Sequence, residues 1–187
     1  MPTLTEVRDQ ALTCQRCPLA RGRTTVVFGE GAPDADLMIV GEGPGHDEDV
    51  QGRPFVGRSG KLLDRLLLEE LGLPRQAVYI ANVVKCRPPN NRDPLPAEIE
   101  ACRPWLEAQV ELIAPRVVLT LGNFSTKLLL KTTDGINRTR GRVYPWGSAV
   151  LVPTFHPAAA LRGSGEVLAG MRADFVRAKE ALAGAPR

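Results

Sequence analysis

Leu37, Met38, Ile39 and Val40 form an uninterrupted apolar run after Asp36, and the run stops at Gly41. An apolar stretch without alternation marks a strand covered on both faces, as in a parallel sheet. From Ser59 the period changes: Leu62, Leu63, Leu66, Leu67 and Leu71 fall on one helical stripe, and Gly72-Leu73-Pro74 ends it. The same alternation predicts a strand over 78–84, a helix over 96–113, a strand over 117–121, a helix over 123–130, a strand over 149–153 and a closing helix over 166–183. Four strands with helices between them define an α/β layered fold with right-handed crossovers. No repeat, low-complexity tract or long linker divides the chain, so residues 1–187 are expected to form one domain.

Ligands of open α/β sheets bind at the carboxyl ends of the strands. Polar residues gather there: Gly41-Glu42-Gly43-Pro44-Gly45-His46-Asp47-Glu48-Asp49 after the first strand, Asn82 inside the second, Gly122-Asn123 after the third, and Thr154-Phe155-His156-Pro157 after the fourth. The glycines do not fit a dinucleotide fingerprint. A third Gly would be needed at His46 or at Glu48, depending on the start. Gly57-Arg58-Ser59-Gly60-Lys61 is no phosphate-binding P-loop either, because Phe55 stands where the first Gly belongs and Leu62 replaces Ser or Thr. What remains is a Gly-rich turn that brings backbone close to a ligand while presenting carboxylates, which suits acid/base chemistry.

Composition narrows this little: 43% hydrophobic and 24% charged residues in a chain of 187 are ordinary for a globular protein with one core. The net charge of +3 does not by itself call for a nucleic-acid partner. Its distribution says more, since Lys131, Arg138, Arg140 and Arg142 face only Asp134 in their stretch, and Arg16, Arg21 and Arg23 crowd an N-terminal cysteine pair. The start Met1-Pro2-Thr3-Leu4-Thr5-Glu6 has no export signal and no apolar run nears the ~20 residues of a membrane span, so a cytoplasmic protein with reduced thiols is expected. In that setting the four cysteines point to metal. Cys14-Gln15-Arg16-Cys17 offers two thiols on one turn, and Cys86 with Cys102 can complete four-coordination. Zinc and an iron–sulfur cluster both suit this ligand set.

Taken together, the loops and cysteines resemble the family 4 uracil-DNA glycosylases, the iron–sulfur branch of that superfamily. The resemblance rests on Cys14 and Cys17, on Gly41-Glu42-Gly43-Pro44-Gly45 with Glu48-Asp49 and Gly52-Arg53-Pro54-Phe55-Val56-Gly57, on Asn82-Val83-Val84-Lys85-Cys86-Arg87-Pro88-Pro89, on Cys102, and on Phe155-His156-Pro157. It implies a three-layer α/β/α fold with a four-stranded parallel sheet, a [4Fe-4S] cluster on Cys14, Cys17, Cys86 and Cys102, and excision of uracil from DNA. The acid at Glu42 separates the chain from family 5. The short link Val50-Gln51-Gly52-Arg53-Pro54 leaves no room for the basic His-containing loop of a DNA-crosslinking branch. His46 stands where family 4 often has an acidic residue.

The chemistry assigns each residue a task. Phe55 stacks on a flipped base, and Asn82 pairs with uracil O4 and N3–H while mismatching cytosine. Neutral His156 donates to uracil O2 as negative charge builds, with backbone N–H groups of the Gly41–Gly43 turn. Glu42 activates water and stabilises the cationic sugar, and Glu48 is the second carboxylate, shaping the pocket. His156-Pro157-Ala158-Ala159-Ala160-Leu161-Arg162 resembles the superfamily loop that enters the minor groove, which implies Leu161 as the wedge and Arg162 as a phosphate contact, and Arg138, Arg140 and Arg142 are expected to form a backbone-facing run. The expectation is a monomer acting on uracil-containing DNA, double- or single-stranded, with no membrane partner. Two rivals are a non-catalytic iron–sulfur DNA-binding module and a glycosylase of the same superfamily that prefers another lesion.

Overall fold

The chain winds around a six-stranded sheet. The computed structural model describes residues 1–184 and runs α1 (Leu4–Ala11), α2 (Leu19–Gly22), β1 (Glu30–Gly31), β2 (Leu37–Gly41), α3 (His46–Gln51), α4 (Arg58–Leu66), β3 (Tyr79–Asn82), α5 (Pro96–Ile113), β4 (Val117–Leu121), α6 (Asn123–Leu130), α7 (Ile136–Thr139), β5 (Tyr144–Trp146), β6 (Ala149–Thr154), α8 (Pro157–Arg162) and α9 (Gly165–Gly184). The strand order is β1-β3-β2-β4-β6-β5. The four predicted strands form the parallel centre, β3-β2-β4-β6. The sequence reading missed two antiparallel edges, β1 on β3 and β5 on β6. They span only two and three residues, and Pro145 within β5 belongs at an edge because it has no N–H to give a second neighbour.

Strand alternation builds a core on each side. Leu37 and Ile39 face Leu62, Leu63 and Leu66 of α4 and Met171, Phe175 and Ala178 of α9. Their neighbours Met38 and Val40 point the other way, toward Leu19 of α2 and Leu106 and Ile113 of α5. The three-layer α/β/α arrangement follows. The helix expected over 59–71 is α4 continued by a π turn over Leu67–Leu71, which keeps Leu67 and Leu71 buried before Gly72 closes it at φ 67°. α1, which lacks a long apolar stripe, is fixed by a capping box between Thr3 and Glu6 and packs Val7 and Ala11 against Trp105 and Leu112 of α5. Among the described residues no helix is long and apolar enough to cross a membrane.

The topology also places the site. From β2 the chain crosses to β3 on one side and later returns to β4 on the other, so the crevice opens at the carboxyl ends of β2 and β4.

Candidate active site

Gly41, the last residue of β2, pairs in register with Asn82, the last residue of β3. Asn82 therefore ends its strand rather than lying inside it. Glu42 and Gly43 follow β2, Gly122 follows β4, and Phe155 and His156 follow β6; with Glu48 and Phe55 they line one cavity of about 550 Å³. Asn82 is 1% exposed, and its Oδ1 has no hydrogen-bond partner. An unsatisfied buried amide costs about 1–3 kcal/mol, which the fold tolerates at a place where a ligand can supply the missing donor. Gly41 has to be glycine here: a Cβ would lie 2.5 Å from Asn82 Oδ1 and 2.6 Å from Phe55 Cζ.

The two titrating groups are pushed in opposite directions. Burial lifts the Glu42 carboxyl to about 7, and the negative charge of Asp93 on the cavity wall adds to the rise. Burial pulls the His156 imidazole down to about 4; Arg162 works in the same sense and Glu48 opposes it. His156 is thus neutral at physiological pH. Its Nδ1 accepts the Ala158 N–H at 3.1 Å, as the N-cap of α8, so the ring proton sits on Nε2. Separated acid and base populations in one cleft mark a site built for proton chemistry.

Phe55 is 5.7 Å from the His156 ring, centroid to centroid, with the planes 32° apart. Its φ is 50°, in the left-handed region that a bulky residue enters at a cost of about 1–3 kcal/mol. Glu48 supports this turn from α3: its Oε1 accepts the N–H groups of Val56 and Gly57, each at 3.2 Å. The loop expected over 41–49 thus becomes a helix from His46, bounded by Gly45 and by Gly52 at φ 72°. Asp49, buried on that helix, accepts from the backbone N–H groups of Thr24 and Thr25.

Cys14, Cys17, Cys86 and Cys102 line a second, smaller cavity on the α2/α5 side, together with Arg16, Arg23, Lys85 and Trp105. The Arg23 guanidinium lies 3.5 Å from Cys86 Sγ, the Lys85 N–H donates to Cys102 Sγ at 3.3 Å, and the buried Trp105 indole N–H has no partner. Among the described residues no three His, Cys, Asp or Glu side chains form a group that would hold a single metal ion. The thiols surround a space instead. Burial pushes Cys102 up to about 11, against the pull of Lys85, and raises Cys86 as well.

The structure thus brings Glu42, Gly43, Glu48, Phe55, Asn82 and His156 together around one cavity, with Arg162 at the same cavity and Gly41 against Asn82 and Phe55 behind it. Leu161 is 40% exposed on α8, a short helix where a loop was expected. Arg138 and Arg142 are exposed, but Arg140 is not part of an outward-facing run. Its Nε and Nη2 bind the two oxygens of fully buried Asp174 at 2.8 and 3.1 Å, and its guanidinium covers the Phe155 ring. Asp174 also accepts the Thr154 hydroxyl at 2.8 Å, so this ion pair fixes the β6 end that carries His156. Sequence reasoning missed it, since no periodicity links residues 34 apart. It also missed fully buried Lys85, whose Nζ donates to the Asn82 carbonyl at 2.8 Å and to Gln109 Oε1 at 2.6 Å, and Glu98, which holds Arg92 of the cavity wall by two bonds.

An α/β sheet whose switch-point crevice holds a carboxyl, an orphaned amide and a neutral imidazole has the parts of an enzyme that grips a polar ligand edge and moves protons. Residues 28–183 match the uracil-DNA glycosylase superfamily. Type-4 uracil-DNA glycosylases are similar over most of their length: that of Sulfurisphaera tokodaii at 47% identity over 86% of this chain and 77% of its own, that of Saccharolobus solfataricus at 46% over 100% and 89%, and that of Thermotoga maritima at 46% over 92% and 91%. The chain belongs to the uracil-DNA glycosylase superfamily, on its type-4 branch.

Proposed function

We propose that the protein takes uracil out of DNA into the strand-end cavity and hydrolyses its N-glycosidic bond, leaving an abasic site, as in repair of deaminated cytosine. One observation carries the reading: Asn82, whose buried Oδ1 is unpartnered, lines the same cavity as the raised Glu42 carboxyl and the neutral His156. With Oδ1 toward N3 and Nδ2 toward position 4, the amide meets uracil's N3–H donor and O4 acceptor, whereas in that orientation cytosine sets its N3 acceptor against Oδ1 and its amine against Nδ2–H. Phe55 stacks on the base. Above its raised pKa Glu42 is a carboxylate; it takes a proton from the water that attacks C1′ and stabilises the positive charge of the sugar. The bonding electrons leave on uracil N1 and spread to O2, where His156 Nε2–H and the N–H groups of the Gly41–Gly43 turn donate. Glu48 acts through the turn it holds. Leu161 fills the gap left by the base, and Arg162, Arg138 and Arg142 contact phosphates. The proposed working form is a monomer.

Cys14, Cys17, Cys86 and Cys102 are proposed to hold a [4Fe-4S] cluster. Four thiols around one cavity, flanked by Arg16, Arg23 and Lys85 and by an unpartnered indole N–H, suit an anionic sulfur-rich group better than a single ion. When bound, such a cluster supplies a covalent junction between the N-terminal segment, the chain after β3 and α5.

The test is to incubate purified protein with duplex and single-stranded oligonucleotides containing U·G, U·A, hypoxanthine or T·G sites, followed by alkali. Strand cleavage at uracil is expected. No abasic product from any uracil substrate would defeat the proposal, and preference for another base would favour a different lesion.

A further inference from the structure

Phe55 keeps an unfavourable backbone conformation in the turn between α3 and α4, and Glu48 holds only the N–H side of that turn, so its carbonyl side needs a partner of its own. Arg75, on the short turn Arg75–Ala77 that leads into β3, is the group in place. Its side chain is 12% exposed, and all five of its N–H donors are matched. Nη1 donates to the Phe55 carbonyl at 2.8 Å and to Asp64 Oδ1 of α4 at 3.0 Å. Nη2 donates to the Pro54 carbonyl and to Glu30 Oε1 of β1 at 2.8 Å, and Nε donates to the same Glu30 oxygen at 3.0 Å. Glu30 is itself gripped by Arg53 on the far side of the turn, at 2.9 Å on each oxygen. Arg75 does not line the base cavity.

The turn is therefore bracketed. Glu48 takes the N–H groups of Val56 and Gly57, and Arg75 takes the carbonyls of Pro54 and Phe55. Gly60 of α4 packs directly below, where a Cβ would fall 1.8 Å from the Phe55 carbonyl oxygen. With both peptide edges held, the ring has one place to go, beside Gly41 and His156.

We propose that Arg75 is a positioning residue for base excision: its guanidinium latches the Pro54 and Phe55 carbonyls to α4 and β1, and so sets the Phe55 ring for stacking on the flipped base. This rests on the stacking role given to Phe55. A lysine keeps the charge but cannot serve two carbonyls and two carboxylates from one planar fork, so Arg75→Lys is not a conservative change here.

The experiment is a double-mutant cycle on single-turnover uracil excision at saturating enzyme, with Arg75→Lys, Phe55→Leu and the double variant, and with DNA affinity and melting temperature measured in parallel. Arg75→Lys is expected to lower the excision rate about tenfold in the parent and less than about twofold in the Phe55→Leu background, with little change in DNA affinity. The same factor in both backgrounds would overturn the latch while leaving stacking intact. Parental excision by Phe55→Leu would overturn stacking itself, and the latch with it. Asp64→Ala, which removes one exposed anchor of Arg75 and leaves the other four bonds, guards against a folding defect. It should give a smaller loss that likewise vanishes with Phe55→Leu, and persistence of that loss counts against the proposal.

Discussion

Glu42 shows how much of the site is set by burial rather than by residue type. Its carboxyl is lifted to about 7 while His156, a few strands away in the chain, is lowered to about 4. If the carboxylate is the base, kcat/KM for uracil excision should rise with pH through about 7 and then level, with no second limb from His156 above pH 5. Glu42→Gln should remove that limb and slow single-turnover excision at least ~100-fold, and His156→Ala should lose as much while still binding DNA. Near-parental rates in both would end the assignment. The same shift has a stability consequence of known sign. Between pH 4.5 and 7 the unfolded carboxyl has released its proton and the folded one has not, so the contribution of Glu42 to stability falls as pH rises and is lost above 7. Glu42→Gln should therefore gain melting temperature relative to the parent at pH 8 and gain less at pH 5. An equal difference at the two pH values would mean that Glu42 is not raised.

At the scale of elements, the strand ends are held by buried ion pairs and polar bonds that reach across the fold. Asp174 of α9 binds Arg140, Arg177 and Thr154, and so ties the C-terminal helix to the end of β6. Asp174→Ala would leave Arg140 with only the Gly170 carbonyl and the Thr154 hydroxyl without its acceptor, and should cost about 2–3 kcal/mol by chemical denaturation, with slower excision as the β6 end loosens. A loss under about 1 kcal/mol would show that the pair is dispensable. The contrast with what the sequence reveals is physical. The apolar runs at 37–40 and 117–121 report burial on both faces, and the leucine stripe of α4 reports a helix, because each is a local period. The carboxyl-end rule then points to Glu42, Asn82 and His156 without any contact being known. Arg140–Asp174, Lys85–Gln109 and Arg75–Glu30 leave no such trace, since each joins residues 24 to 45 apart through side chains alone. The edge strands and α3 are too short to show a period, although Gly45 and Gly52 mark the ends of α3.

Over the whole molecule the net charge of +3 is weak, so DNA binding has to come from where the cations sit rather than from their number. The basic stretch after Lys131 looks uniform in sequence, yet the fold divides it. Arg138 and Arg142 stand in solvent, with Arg138 80% exposed and only a 3.5 Å contact to Asp134, whereas Arg140 is turned inward onto Asp174. These two kinds of arginine should separate by measurement. A phosphate contact releases counterions, so each one lost flattens the slope of log K against log salt by about 0.9 on duplex DNA, while a buried ion pair contributes nothing to that slope. Replacing Arg138 and Arg142 together by alanine should therefore reduce the slope by about 1.8 and weaken binding similarly to uracil-containing and undamaged duplexes, with the melting temperature nearly unchanged. Arg140→Ala should do the reverse, lowering the melting temperature while the slope for the folded fraction stays parental. If the double variant kept the parental slope, the DNA-facing surface would have to be sought elsewhere, around Arg162 at the mouth of the cavity.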